Sequence, residues 1–136
     1  NEDDITSFLA KQAVKSMDLL NTKAIITDSY TGKTARYLAA YRGASPILAI
    51  CYKERLVRQL ALSYGVTPIY QEEKEDTRHY FFAALKMLIE NGFLKFKDKV
   101  AYLSGSQNVG GGTTFLEINS IDDIFSNQKE YLLPNF

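Results

Sequence analysis

Between Asp28 and Ala35 the chain reads Asp-Ser-Tyr-Thr-Gly-Lys-Thr-Ala, which sets hydroxyl side chains, a glycine and a lysine just ahead of a helical pattern. Such a stretch can hold an anion. Backbone N–H groups in the first turn of a helix lack intrahelical partners, the helix dipole is positive there, and Lys33 adds a charge. Gly-Lys-Thr invites comparison with the phosphate loop of nucleotide hydrolases, but that loop needs an earlier glycine to wrap the β-phosphate, and this chain has Thr27 in its place. A carboxylate at Asp28 would also repel a nearby phosphate. The hydrolase reading is rejected. For Ser29, Thr31, Gly32, Lys33 and Thr34 two readings remain open: a pocket for one terminal phosphate of a small metabolite, or an ordinary helix start capped by Ser29 or Thr31.

The other reactive side chains point to less. His79 is the only histidine and has no neighbouring histidine or cysteine, too few ligands for a metal site. Cys51 lies within an apolar run with no histidine spaced to activate it, so a buried, inert thiol is expected. Glu72 and Glu73 are adjacent and point apart in an extended chain, which argues against a catalytic pair. Tyr37 and Tyr41 share a helix face, where packing or a subunit contact is expected. Lys53 and Arg58 read as solvated.

These side chains must be positioned by a fold, and length and composition bound it. The chain has 136 residues, enough for one domain with a real core. Its 16 basic and 16 acidic residues balance, so no broad positive surface recommends a nucleic acid. No apolar run approaches the roughly 20 residues that span a bilayer, and no membrane partner is expected. The acidic, polar start is not a signal peptide, and a single cysteine fits a reducing, cytoplasmic setting. Asn1 stands where an initiating methionine would be, so an excised or trimmed piece is the expectation.

Periodicity gives the elements. A helix runs from Asp3 or Asp4 to about Leu20, with Ile5, Leu9, Met17 and Leu20 on one face. Strands are predicted at Lys23–Asp28, Pro46–Tyr52, residues 66–71, 99–105 and 113–121. Helices are predicted at about Lys33–Arg42, at Glu54–Tyr64 with Leu56, Val57, Leu60, Ala61 and Tyr64 inward, and at Thr77–Asn91 with Phe81, Leu85, Leu88 and Ile89 inward. Pro68 marks the third strand as an edge. Residues 1–121 form the domain, and 122–136, where no pattern is evident, read as a tail or an interface arm.

Strands joined through helices should lie parallel with right-handed crossovers. Only Ser104–Gly112 separates the last two strands, so the fifth should run antiparallel to the fourth. The fold class is α/β: three layers, α/β/α, around a five-stranded mixed sheet of four parallel strands and one antiparallel. If the strand order reverses between the first and fourth strands, a ligand would sit beyond their carboxyl ends, between Ser29–Thr34 and Ser104–Gly112.

Several separated motifs carry a resemblance. Ser29-Tyr30-Thr31-Gly32-Lys33-Thr34-Ala35, Tyr41-Arg42, Ser45-Pro46-Ile47-Leu48-Ala49, Arg58-Gln59-Leu60 and Tyr64-Gly65-Val66-Thr67-Pro68 follow one another. "GFLKFKDKVAYLSG" and "GGTTFLEI" come after them. In that order they resemble the C-terminal domain of pyruvate kinase, over roughly Ile5 to Ile118. The resemblance implies the sheet argued above. It also implies that the hydroxyl loop is where some members bind an allosteric sugar phosphate such as fructose 1,6-bisphosphate. Carried over by position, Ser29, Thr31, Gly32, Lys33 and Thr34 would cradle a phosphate, with Gly111 and Gly112 in the closing loop.

The chain departs from the family in places. Lys33 replaces the usual arginine and loses bidentate geometry, though not charge. Gln107 stands at a common proline position, and Phe115 replaces an asparagine. The glycine-rich closing loop offers no cation for a second phosphate; Arg36, Arg42, Arg78 and His79 are the candidates to supply one. The family's active site lies in a separate (β/α)8 barrel, whose Mg²⁺, K⁺, ADP and phosphoenolpyruvate machinery is absent from this sequence. The chain alone is therefore expected to bind no metal or other cofactor and to transfer no phosphoryl group. Its implied partners are the barrel of the same chain, a sugar-phosphate or nucleotide effector, and further copies in a dimer or tetramer. A stand-alone sensor without kinase activity is the alternative. A third reading, a small enzyme acting at the same switch point, lacks an evident base.

Overall fold

The computed structural model describes residues 2–29, 31–41, 46–72, 77–105 and 113–132. In chain order the elements are α1 (Glu2–Leu19), β1 (Ala24–Ser29), α2 (Lys33–Ala40), β2 (Ile47–Cys51), α3 (Glu54–Leu60), β3 (Val66–Tyr70), α4 (Thr77–Glu90), β4 (Lys99–Gly105), β5 (Thr113–Ser120) and α5 (Ile121–Leu132). The five strands form one sheet in the order β3-β2-β1-β4-β5. β1 is parallel to both β2 and β4, β2 is parallel to β3, and β5 is antiparallel to β4. The reversal lies between β1 and β4, where the chain returns after building outward to β3. Pro68 sits on that outer strand, where its missing N–H costs no ladder bond.

Alternation along the strands divides the core in two. Ile26, Leu48, Ile50, Val100 and Tyr102 face α4 and α5, packing with Phe81, Leu85, Leu88, Ile121 and Ile124. Ile25, Ile47, Ala49, Ala101 and Leu103 face the opposite layer, where they meet Ala10, Ala13 and Met17 of α1, Leu38 of α2, and Leu56 and Leu60 of α3. β2 is buried at every position because helices cover both of its faces.

Three expectations are corrected. On α1 the buried stripe is Thr6, Ala10, Ala13 and Met17, whereas Ile5 is 51% and Leu20 45% exposed. Small side chains let this helix approach the sheet closely, so residue size rather than hydropathy selects its inner face. Helix α3 stops at Leu60, which leaves Ala61 and Tyr64 exposed instead of inward. The segment read as a patternless tail is helix α5, and Ile121 and Ile124 are buried in the core.

Helix α5 is held at its first turn. The backbone N–H of Ile121 donates to the Asp98 carbonyl and that of Asp122 to the Phe96 carbonyl, each at 3.0 Å. The Ser120 hydroxyl accepts from the Asp123 N–H at 3.3 Å. Donors that a helix start leaves without partners are thus met by the α4–β4 connection and by a serine cap. Phe125 then packs edge-on against Phe96 and tilted against Phe82.

Candidate functional site

Chains that alternate strand and helix in parallel order put every strand's carboxyl end, and the start of the helix after it, at one edge of the sheet. The connection from β1 to α2 and the departure of β4 therefore meet at the switch point. Ser29 ends β1, paired with Cys51 of β2. Gly32 is the N-cap residue of α2, with φ 81° and no side-chain cap, so neither Ser29 nor Thr31 occupies the cap position. Thr31 is exposed, and its hydroxyl accepts a long bond, 3.4 Å, from the Lys33 N–H. Lys33 is half-buried, while Thr34 is buried at 5% exposure. The polar face that the described loop turns to solvent thus comes from Thr31 and Lys33 more than from Thr34. Tyr30, Gly111, Gly112 and the other residues of the β4–β5 loop lie outside the described residues, as does the side chain of Ser29.

Gly32 is needed for two local reasons. Its left-handed φ suits glycine, and a Cβ there would stand 2.9 Å from Leu56 Cδ1 and 3.2 Å from Leu60 Cδ2. Arg36, one turn into α2, folds back over the same loop and donates from Nη1 to the Thr31 carbonyl at 3.0 Å. Of the four cations considered for a second phosphate, Arg36 is placed beside the loop. Arg42 and the side chains of Arg78 and His79 lie outside the described residues.

Sequence reasoning missed the polar cluster beside the loop. Asp28, half-buried near the end of β1, accepts side-chain bonds from Tyr102, Ser104 and Tyr52. Its Oδ2 takes one from Tyr102 Oη at 2.6 Å and one from Ser104 Oγ at 2.8 Å; its Oδ1 takes one from Tyr52 Oη at 3.3 Å. Tyr102 is held flat against Phe81, ring centroids 3.8 Å apart and 5° from parallel. The available signal was a carboxylate ending an apolar strand, with a tyrosine and a serine spaced to one face of β4.

Cys51 is fully buried, and burial pushes its thiol up to about 11, far from a nucleophilic thiolate at neutral pH. Tyr41 pairs its hydroxyl with that of Ser7 on α1 at 2.8 Å, and Tyr37 packs at the margin of the core. Among the described residues no group of three or more His, Cys, Asp and Glu could hold a metal ion. Nor, among those residues, is any helix long and apolar enough to cross a membrane.

Comparison with known proteins gives one answer throughout. Residues 7–119 match the family described as pyruvate kinase, alpha/beta domain. The pyruvate kinase of Borreliella burgdorferi is 41% identical over 120 residues, which is 86% of this chain and 25% of that protein. The pyruvate kinase of Clostridium acetobutylicum is 33% identical over 104 residues, 76% of this chain and 22% of that protein. Among solved structures, Cryptosporidium parvum pyruvate kinase in complex with ADP superposes with a TM-score of 0.78 at 25% identity, covering 86% of this chain and 24% of that one. The chain thus spans about a quarter of the length of the relatives it matches. With the family match running from α1 through β5 and the mixed sheet shared with these structures, the chain belongs to the pyruvate kinase alpha/beta-domain family.

Proposed function

We propose that this chain is the regulatory and self-associating part of a pyruvate kinase, the glycolytic enzyme that moves a phosphoryl group from phosphoenolpyruvate to ADP. The chemistry, with its Mg²⁺ and K⁺, belongs to a barrel domain, and this part carries no catalytic constellation of its own. Family membership over residues 7–119 supports that division of labour. A coupled pyruvate assay tests it. This chain alone should give no turnover above a blank, and measurable turnover would overturn the assignment.

The regulatory ligand in this reading is a sugar phosphate or nucleotide whose phosphate is held by Ser29, Thr31, Gly32, Lys33 and Thr34, with Gly111 and Gly112 as further ligand-binding residues. The observation that carries it is the position of the loop: at the carboxyl edge of a parallel sheet, at its switch point, opening helix α2 with Thr31 exposed. Lys33 supplies charge, and the Arg36 guanidinium stands beside the loop. A thermal-shift series with fructose 1,6-bisphosphate, glucose 6-phosphate, AMP and inorganic phosphate tests the assignment. Linkage stabilises the bound form by about 2.7 kcal/mol at a hundredfold excess over the dissociation constant. Thr31→Ala and Lys33→Met should abolish the shift. Both test better than a change at Thr34, whose burial mixes ligand loss with packing loss. Equal shifts in wild type and variants would exclude the loop.

A further inference from the structure

The sheet ladder and the Asp28 cluster meet at one place. β1 and β4 stay paired only as far as Thr27 and Leu103, whereas β1 and β2 continue together to Ser29 and Cys51. Beyond Thr27 the β1–β4 seam therefore parts, as a sheet must at a switch point that admits a ligand. The next residue on each strand is Asp28 and Ser104, and these two are joined by side chains, Ser104 Oγ to Asp28 Oδ2 at 2.8 Å. Tyr102 Oη reaches the same oxygen at 2.6 Å, and Tyr52, just past β2, reaches the other. Side-chain bonds thus take over where backbone bonds stop. The antiparallel β4–β5 register also shifts between Ser104 and Gly105, so the clasp grips β4 at its one ladder irregularity.

The clasp is stiff on the β4 side. Tyr102 is 1% and Ser104 4% exposed, and the Tyr102 ring is stacked on Phe81. On the β1 side Asp28 stands directly before the connection that carries Thr31, Gly32 and Lys33. A displacement of that connection has a short covalent path to Asp28 and from there a hydrogen-bonded path to β4.

We infer that Asp28 is a positioning residue, coupling the Thr31–Thr34 loop to the end of β4 through the hydroxyls of Ser104 and Tyr102. The inference rests on the phosphate-binding reading of that loop. An anion ordering the loop holds the β1 end in place, and the clasp passes that order to residues 102–105 across the parted seam. Without the clasp the loop still binds, but β4 no longer registers it.

Hydrogen exchange on this chain, with inorganic phosphate and fructose 1,6-bisphosphate as probes, tests the coupling. Wild type, Asp28→Asn and Ser104→Ala are compared; Ser104→Ala removes one hydroxyl and leaves Asp28 its tyrosine donors. In wild type a probe should slow amide exchange at both 31–36 and 102–105. At 102–105 the slowing should be roughly tenfold, equivalent to about 1.4 kcal/mol of local opening free energy. In both variants the slowing at 31–36 should persist; at 102–105 it should be lost in Asp28→Asn and reduced in Ser104→Ala, which keeps the Tyr102 bond. A purely structural role would raise basal exchange in the variants yet leave the probe-induced difference intact, and that result overturns the inference while sparing the loop. No slowing at 31–36 in wild type with either probe overturns the phosphate reading, and the coupling with it.

Discussion

Gly32 and Leu56 are packed so closely that a Cβ on the glycine would stand 2.9 Å from Leu56 Cδ1. The glycine of the loop is thus explained by the approach of α3 as well as by its left-handed backbone. A ligand is not needed to account for it. Gly32→Ala should therefore destabilise the chain even with no ligand present, by about 1–2 kcal/mol from the left-handed conformation alone. Urea unfolding, read as a shift of midpoint at constant slope, checks this.

Tyr102 offers a cleaner probe of the Asp28 cluster than the carboxylate itself. Tyr102→Phe keeps the stack on Phe81 and removes the 2.6 Å donor to Asp28. Hydrogen bonds to charged groups contribute about 1.5–3 kcal/mol, so a loss of that size is expected from equilibrium unfolding. A loss no larger than that of an exposed tyrosine such as Tyr64 would show that the bond contributes little.

Cys51 gives a prediction in pH. Burial raises its thiol from 9.0 to about 11, so the folded state holds this proton more tightly than the unfolded chain. The stability linked to it is complete below about pH 9 and falls away as pH rises toward 11. Cys51→Ala should flatten the alkaline limb of the stability profile over that window. In the native wild type the thiol should also resist alkylation at neutral pH and react only on unfolding.

Helix α5 should be integral to the domain. Ile124 is 1% exposed and lies in the core with Phe81, Leu85 and Leu88. Ile124→Ala is expected to cost about 2–5 kcal/mol, as for other buried large-to-alanine changes. Ending the chain after Ser120 should lower the melting temperature by more than that single change does. If neither alters thermal unfolding, α5 does not belong to the cooperative unit.

Local pattern and long-range packing divided the problem between them. From sequence alone came the strand–helix alternation, the edge position of the proline-bearing strand, the antiparallel last strand and the switch between β1 and β4. Each rests on periodicity, turn residues or connection length, which act over a few neighbouring residues. The buried face of α1 was not legible that way. Close approach to the sheet selects Ala10 and Ala13 over the larger Ile5 and Leu20, and that distance is a property of the assembled layers. Helix α5 carried weak signals, Ser120 as a cap and a short Ile121, Ile124, Phe125 spacing, and only its docking on the Phe96–Asp98 turn makes it a helix of the core. The Asp28 cluster needed the tertiary structure most. Its donors lie 24, 74 and 76 residues away in sequence, and only the parallel sheet brings them to one carboxylate.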